Sequence, residues 1–391
     1  MRSVELFAGA GGLAIGMANA GFRHAAVIEW NPDACETFRE NKRHHTHHVE
    51  EWPLWEGDVR EFDYGTLGGE VMVISGGPPC QPFSICGKHR GYMDERDMFP
   101  QAVRAVRELR PRAFIFENVK GLMRETFATY FEYITLQLAH PSFARRKGEP
   151  WREHRERLEK HHISRQTRSE YNVVFRLLNA ADYGVPQKRE RVFTVGFRAG
   201  LGVEWSFPEE THSEDALLAS KWITGDYWDR HEVSRRQRPQ VENRLEGRLA
   251  KLRRGELFGD VAPWLTVRDA IGDLPDPEEF PSNRIPNHRF NPGARSYPGH
   301  TGSPLDEPAK TLKAGDHGVP GGENMLLRAD GSIRYFTVRE AARLQTFPDN
   351  YIFRAAWSEA MRQLGNAVPV RLAEVVARSV AKTLLAKEGP G

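Results

Sequence analysis

The chain has 391 residues, 39% of them hydrophobic, and a formal net charge of +2. This length allows two domains, or one domain with a large insertion, and the hydrophobic share is sufficient for a proper core. The composition excludes a membrane-spanning chain, because no apolar run is long enough, and three cysteines do not make a disulfide framework. We therefore expect a protein of the reducing cytoplasm that has no signal peptide before its first strand.

Residues 1–198 alternate short β-branched runs with helical stretches, which is typical of a parallel sheet covered by helices. The predicted strands are Ser3–Phe7, Ala25–Glu29, Val71–Ser75, Ala113–Glu117, Tyr171–Phe175 and Arg191–Phe197. Beyond residue 200 the periodicity weakens while aromatic and aliphatic residues persist, so we expect a second, irregular domain rather than disorder. The last helical stretch places four apolar residues on one face and should pack on a core: Leu372, Val376, Val380 and Leu384.

A glycine-rich turn follows the first predicted strand and opens a helical stretch. Its sequence is Phe7-Ala8-Gly9-Ala10-Gly11-Gly12-Leu13. Such a turn lets a ligand touch backbone N–H groups at a helix N-terminus. The spacing departs from the dinucleotide pattern GxGxxG, which favours a smaller nucleoside such as S-adenosylmethionine over NAD.

Two further elements fit a nucleoside ligand. Glu29 ends the next predicted strand, where such a sheet places the ribose, and Trp30 is placed to stack on an adenine. The Asp58 carboxylate, followed by Val59, is available to an exocyclic amine. For Trp30 the alternative is an ordinary half-buried aromatic.

A candidate nucleophile follows the predicted strand Val71–Ser75. The run is Gly76-Gly77-Pro78-Pro79-Cys80-Gln81. Proline fixes its own backbone and restricts the residue before it, and glycine permits a sharp turn and a close approach. A thiol held in this way suits a nucleophile, although a small buried hydrophobe is the usual fate of a free cysteine.

Polar residues at two later strands belong to the same predicted crevice. Glu117 and Asn118 end an apolar run, and the carboxyl ends of parallel strands are where open α/β sheets bind ligands. A thiolate beside a carboxylic acid is the pair needed to add to an electron-poor ring and protonate it. Alternation in the run that enters the last strand places Gln187, Arg189 and Arg191 on one face, so that two guanidiniums point together.

A tight polar turn, Gln363-Leu364-Gly365-Asn366-Ala367-Val368-Pro369, precedes the last helix. It either covers the cofactor or caps that helix.

In this order, five motifs closely resemble those of the C5-cytosine-specific DNA methyltransferases of bacterial restriction-modification systems. They are the glycine turn at 7–12, Pro-Cys-Gln at 79–81, Glu-Asn-Val at 117–119, Gln-x-Arg-x-Arg at 187–191 and Gln-x-Gly-Asn-x-Val-Pro at 363–369. The resemblance covers residues 1–198 and 330–391. Two features depart from it: the basic linker between 121 and 171 is long, and Cys86 stands where a small hydroxyl residue is expected.

The resemblance implies an α/β methyltransferase sheet, Rossmann-like, with helices on both faces and a smaller target-recognition domain. The implied domains are 1–198 for catalysis and cofactor binding, 199–347 for target recognition, and 348–391 as a segment returning to the catalytic domain. The implied cofactor is S-adenosylmethionine, with S-adenosylhomocysteine as product. The residues implied to bind it are Phe7, Gly9, Gly11, Gly12, Leu13, Glu29, Trp30, Asp58, Val59, Pro79, Asn366 and Val368.

The resemblance also implies the chemistry. Cys80 adds to C6 of a cytosine flipped out of duplex DNA, which makes C5 nucleophilic. Glu117 binds N3 and the 4-amino group, and Arg191 contacts the O2 edge. Arg189 supports the wall of the site, and Asn118 orders the turn that carries Cys80.

Several alternatives stay open at this point. The substrate could be a cytosine in transfer RNA, although the long segment 200–330 favours a reader of DNA sequence. A non-catalytic DNA-binding relative and a dinucleotide oxidoreductase are less compatible with the motifs. The sequence leaves open the recognition site, a partner restriction endonuclease and the oligomeric state, for which a monomer is expected.

Two other features bear on binding. No metal is expected at His44–His48, because no cysteine stands at ligand spacing. The arginines at 235–238 and 253–254 are candidates for phosphate contacts, and the linker 141–168 is either a DNA-backbone arm or an inert helix.

Overall fold

The structure is a computed structural model, and it describes residues 1–79, 97–164, 168–255, 261–280, 284–298, 300–314 and 324–388. The chain forms two compact units. The first comprises Met1–Leu178, Glu190–Pro208 and Ala373–Gly391, and the second comprises Asn179–Arg189 and Glu209–Leu372. Residues 348–372 thus group with the second unit, whereas the motif pattern placed them in the C-terminal segment.

A seven-stranded sheet forms the centre of the first unit, in the order β3-β2-β1-β4-β5-β7-β6. The elements in chain order are β1 (Arg2–Leu6), α1 (Gly12–Asn19), β2 (Arg23–Glu29), α2 (Pro32–Arg43), β3 (Leu54–Glu56), β4 (Val73–Gly76), α3 (Phe99–Leu109), β5 (Ala113–Val119), α4 (Ala128–Ala139), α5 (Trp151–Ile163), β6 (Tyr171–Asn179) and β7 (Glu190–Arg198). Each of the six predicted strands is found, with ends shifted by a few residues. The strand β3 was not predicted, because three residues are too few to show a period.

The direction of β7 differs from the parallel sheet that the sequence predicts. β7 runs antiparallel to β5, and Val119 pairs with Arg191, whereas β1, β2, β3, β4 and β5 pair in parallel. The segment between β6 and β7, residues 180–189, is shorter than the dozen or more residues that a parallel crossover needs. Because β7 is reversed, its first residues lie at the same edge of the sheet as the carboxyl end of β5.

Helices cover both faces of this sheet, so the predicted α/β class is confirmed. On one face, Val4 and Leu6 of β1 join a core with residues of α3 and α4. On the other face, His24 of β2 binds the Ala14 carbonyl of α1 through its Nε2 at 3.0 Å. Alternate side chains of each strand therefore face the two helical layers on either side of the sheet. The site described below lies at the carboxyl edge of the sheet.

The second unit has little regular structure. Its elements are β8 (His212–Ser213), α6 (Glu214–Ala219), α7 (Asp226–Arg230), α8 (Glu246–Arg253), β9 (Ala262–Pro263), α9 (Val267–Ile271), β10 (Ser303–Pro304), β11 (Met325–Leu327), β12 (Ile333–Tyr335), α10 (Val338–Leu344) and α11 (Trp357–Asn366). Capping boxes begin α9 and α10. Aromatic residues supply part of its core, as in the cluster of Leu217, Tyr227, Trp228 and Trp264. The short elements agree with the weak periodicity of the sequence beyond residue 200.

The last helix, α12 (Val370–Glu388), completes the chain. Its four predicted core residues, Leu372, Val376, Val380 and Leu384, are all buried, which confirms the prediction that the C-terminus packs on a core. Over the described ranges, the chain contains no helix that is both long and apolar enough to cross a membrane.

Candidate active site

The glycine-rich turn and the end of β2 form one hydrogen-bonded structure. Phe7 has a φ of +54°, which ends β1 and turns the chain away from the sheet. The Gly9 N–H donates to Glu29 Oε2 at 2.6 Å, and the N–H groups of Trp30 and Asn31 donate to Oε1 at 3.0 and 2.8 Å. Glu29 is thus a buried acceptor that fixes the turn from which α1 starts.

Open space adjoins this turn. Gly9 has a φ of +54°, and a Cβ built on it would meet no atom within 4 Å, so the backbone faces a gap that a ligand can occupy. The Trp30 ring is 66% exposed next to Glu29, which makes it available for stacking and excludes the half-buried alternative. Gly12 and Leu13, at the start of α1, are buried.

Asp58 is occupied within the chain. Its carboxylate accepts the Arg60 N–H at 2.9 Å and the Arg60 Nε–H at about the same distance. These hydrogen bonds hold the pKa of Asp58 below its usual value. An exocyclic amine would therefore share this carboxylate with Arg60, while Val59 is buried behind it.

The turn after β4 is held by the end of β5. The Asn118 side-chain amide donates to the Pro78 carbonyl at 2.9 Å, and its Oδ1 accepts the Val119 N–H at 2.9 Å. The Met98 N–H donates to the Pro79 carbonyl at 3.2 Å. The hydrogen bond from Asn118 to the Pro78 carbonyl is consistent with the expectation that Asn118 orders the turn that carries Cys80. Cys80 itself, like Cys86, lies outside the described residues.

Glu117 and Arg191 form an ion pair at the carboxyl edge, one from β5 and one from β7. Arg191 Nε lies 2.8 Å from Glu117 Oε1, and their side chains are 11% and 8% exposed. Burial lowers the pKa of Arg191, and the Glu117 carboxylate opposes this shift. A Cβ on Gly77 would lie 3.3 Å from Glu117 Oε2, so the turn that leads to Cys80 passes directly beside the carboxyl group.

The expectation that two guanidiniums point together is wrong. Arg189 precedes the first residue of β7, so strand alternation does not extend to it. Its guanidinium is fully buried in the second unit, where it donates to the carbonyls of Leu312, Gly365 and Ala367 at 2.6–2.9 Å. Arg189 therefore binds a different set of partners from Arg191 and holds backbone in place.

Two of the carbonyls that Arg189 binds, those of Gly365 and Ala367, belong to the polar turn before α12. Asn366, at the end of α11, is exposed and Val368 is buried, and the residues on either side of Asn366 are the ones that Arg189 binds. The Gln345 side chain donates to the Leu364 carbonyl at 2.7 Å. The turn is thus held in place by two buried side chains, and this leaves the Asn366 side chain exposed.

The structure brings the predicted residues together in three groups. One is the glycine turn with Glu29 and Trp30, one is the turn 76–79 with Glu117, Asn118 and Arg191, and one is the turn 363–369 with Arg189. Glu5, a buried acid beside the first two groups, was not among the predicted residues. Its signal was present, since an acid interrupts the apolar strand Val4-Glu5-Leu6-Phe7.

Comparison with known proteins identifies the family. The model of the C-5 cytosine-specific DNA methylases matches residues 1–143 and 152–382. The Type II methyltransferase M.Eco47II of Escherichia coli is 32% identical over 388 residues, which cover 97% of this chain and 79% of that protein. M.NgoMIV of Neisseria gonorrhoeae is 30% identical over 391 residues, with 98% and 97% covered. The crystal structure of S. pombe Dnmt2 methyltransferase shares the fold, with a TM-score of 0.56 at 17% identity over 99% of both chains.

These matches confirm the resemblance that rested on five short motifs. Residues 144–151, which the family model leaves unmatched, lie inside the basic linker that departed from the family pattern. The chain belongs to the C-5 cytosine-specific DNA methylases and is a DNA (cytosine-5-)-methyltransferase.

Proposed function

We propose that the protein transfers the methyl group of S-adenosylmethionine to C5 of a cytosine flipped out of a specific duplex DNA sequence, through a covalent bond between Cys80 and C6. The observation that carries the proposal is the buried pair of Glu117 and Arg191 beside the turn 76–79. This pair supports the proposal because its polar groups lie next to the backbone that leads to the cysteine.

The glycine turn fits the cofactor. The gap beside Gly9, the exposed Trp30 ring and the Glu29 carboxylate match a nucleoside with a base to stack and a ribose to bind. Glu29 is proposed to accept a ribose hydroxyl, because an ionised carboxylate is acceptor-only and has about four acceptor positions. The residues proposed to hold the cofactor are Phe7, Gly9, Gly11, Gly12, Leu13, Glu29, Trp30, Asp58, Val59, Pro79, Asn366 and Val368.

When bound, S-adenosylmethionine supplies a methyl group on a positively charged sulfur, which is open to attack by a carbon nucleophile. Cytosine C5 becomes such a nucleophile once the Cys80 thiolate has bonded to C6. Glu117 gives a proton to N3 as negative charge develops on the ring and accepts a hydrogen bond from the 4-amino group, and Arg191 donates to O2. Loss of the C5 proton to solvent then expels the thiolate, returns the N3 proton to Glu117 and restores the aromatic ring.

Asn118 and Arg189 act on backbone. Asn118 holds the Pro78 carbonyl, so the approach to Cys80 is fixed before substrate arrives. Arg189 holds the turn that presents Asn366. Both are therefore positioning residues rather than groups that touch the reacting atoms.

DNA is proposed as the substrate because the relatives that match over nearly the whole chain are named Type II methyltransferases. The target atom is inaccessible inside a duplex, so the base has to leave the stack at a cost of a few kcal/mol. The second unit is proposed to read the sequence. A restriction endonuclease that cuts the same sequence is the proposed partner.

Bisulfite sequencing tests this function. The chain is expressed in a bacterial strain without cytosine methylation, and plasmid DNA and total transfer RNA are both converted. We expect protected cytosines in DNA within one short sequence context, and none when Cys80→Ala replaces the wild type. Protection confined to transfer RNA, or protection that persists in Cys80→Ala, would contradict the proposal.

A further inference from the structure

Glu5 is a carboxylic acid buried at the middle of the sheet. It lies on β1 and is 1% exposed, with Ser75 of β4 as its register partner on one side and Val27 of β2 on the other. The proposed chemistry assigns it no role. A buried acid between two central strands is costly unless it is neutral or fully paired, so its presence calls for an explanation.

The contacts of Glu5 are incomplete for a charged group. The Ser75 hydroxyl donates to its Oε2, whereas Oε1 has no hydrogen-bond partner within the described part of the chain. Ser3 and His24 lie on the same face, and Glu29 of β2 and Glu117 of β5 lie on it toward the carboxyl edge. The His24 Nδ1 lies 3.1 Å from Ser3 Oγ, and its Nε2 is bound to a backbone carbonyl.

Among the residues that the structure describes, no charge compensates Glu5. Burial lowers the pKa of His24 to about 4, so this imidazole is neutral near pH 7. The α1 segment Gly12–Ala18, which is buried against the sheet, carries no charged side chain. Burial raises the pKa of Glu5 to about 8, which the Ser75 hydrogen bond opposes, so Glu5 is protonated in the folded protein near neutral pH.

The Glu5–Ser75 contact joins the strands from which the two functional turns start. One residue further on, Leu6 pairs with Gly76, and a Cβ on Gly76 would lie 2.4 Å from the Leu6 carbonyl oxygen, so only glycine permits this separation. The glycine-rich turn begins at the residue after β1, and the turn that leads to Cys80 begins at the residue after β4. The separation of these strands therefore sets the separation of the two turns.

We propose that Glu5 is a positioning residue: through its hydrogen bond with Ser75 it holds the cofactor-binding turn after β1 and the turn after β4 at their working separation. The inference rests on the proposed function, which makes the first of these turns the cofactor site. An ionised Glu5 would draw water toward Oε1 and loosen the contact between β1 and β4. Ionisation of this one carboxyl group would therefore change the separation of the two turns.

The test measures the affinity for S-adenosylmethionine by calorimetry between pH 6.5 and 9.5. For the wild type we expect the Kd to rise above pH 8 by about tenfold per pH unit, because the fraction of molecules with a protonated Glu5 falls in that proportion. Glu5→Gln keeps the shape and cannot ionise, so its Kd should stay near the wild-type value of pH 6.5 throughout. Ser75→Ala should weaken binding already at pH 6.5, and Glu153→Gln, an exposed acid of the same unit, should follow the wild type.

Thermal unfolding without cofactor gives an independent readout. Glu5 has a folded pKa raised above its ordinary value of 4.5, so its contribution to stability is present below pH 4.5 and is lost as the pH rises to about 8. The Tm of Glu5→Gln should therefore exceed that of the wild type by an amount that grows over this range. A merely structural role would shift the Tm without changing the pH profile of binding.

The outcomes separate the two claims. If the wild type binds cofactor at pH 6.5 and Glu5→Gln shows the same rise in Kd above pH 8, the inference is overturned and the proposed function stands. If the wild type does not bind S-adenosylmethionine at pH 6.5, the proposed function fails and the inference fails with it.

Discussion

Two arginines of one motif, Arg191 in the first compact unit and Arg189 in the second, have opposite environments. In the first unit, Arg191 stands at the carboxyl edge of a regular sheet, where it faces the acid Glu117 and the turn toward the proposed nucleophile. In the second unit, Arg189 and Arg339 are fully buried, and each donates to three backbone carbonyls. A guanidinium has five N–H donors in a rigid planar arrangement. Where strands are short, it can donate to backbone carbonyls that would otherwise accept hydrogen bonds from a neighbouring strand.

This contrast distinguishes arginines that face the proposed substrate from arginines that stabilise the fold. Substitutions at the sheet edge of the first unit should change rates, because those side chains face a ligand. Substitutions of buried arginines in the second unit should change stability, because carbonyls would lose their partners. The variants below test whether that division holds.

Glu117→Gln should have the largest effect. General acid–base groups contribute about 10²–10⁴-fold, so kcat should fall by at least about two orders of magnitude. Binding of S-adenosylmethionine should be unaffected, because the cofactor turn is formed by Gly9 and Glu29. Single-turnover methylation of duplex DNA measures the rate. A loss confined to KM for DNA would assign Glu117 to binding alone.

A pair of lysine substitutions in one motif compares the units directly. Arg191→Lys keeps a charge beside Glu117 but loses the planar fork, so kcat should fall about 10²-fold with little change in Tm. Arg189→Lys cannot reach all three carbonyls, and each unsatisfied one costs about 1–3 kcal/mol. Its unfolding midpoint in urea should therefore fall. Equal losses of stability in both variants would contradict the division between the units.

The smallest effect concerns exposed arginines of the second unit. Arg238 donates to Asp229 and to the Val233 carbonyl, whereas Arg235 and Arg236 are exposed. Replacing both by alanine should reduce the slope of log affinity against log salt by about 0.9 for each phosphate that the two guanidiniums neutralise. Arg23→Ala, an exposed arginine of the first unit, is the control. Identical slopes would mean that the pair does not touch DNA.

The sequence predicted the first unit well because its signals are local. Alternating β-branched runs identified six strands, and the rule that ligands bind at carboxyl ends placed Glu117 and Asn118 at one edge. The reversal of β7 was not predicted, since periodicity carries no strand direction. Glu5 was missed although an acid interrupts the apolar strand, because its burial becomes certain only when β1 is known to be a central strand.

The second unit was predicted only as irregular, and the reason is physical. Its stability comes from contacts between residues far apart in sequence, such as Arg189 with Gly365, which leave no period in the chain. Strand alternation was therefore applied to Arg189 although the strand begins at Glu190. The capping boxes at Thr266 and Thr337 were local signals of short helices.

A duplex that contains 5-fluorocytosine tests the central claim most directly. Fluorine at C5 leaves no proton to be lost after methyl transfer, so the bond between Cys80 and C6 cannot be broken by the normal route. We expect a protein–DNA complex that survives denaturing electrophoresis, requires S-adenosylmethionine and is absent with Cys80→Ser. The claim would be contradicted if a wild-type protein that methylates the unfluorinated duplex gave no such complex, or if Cys80→Ser formed it equally well.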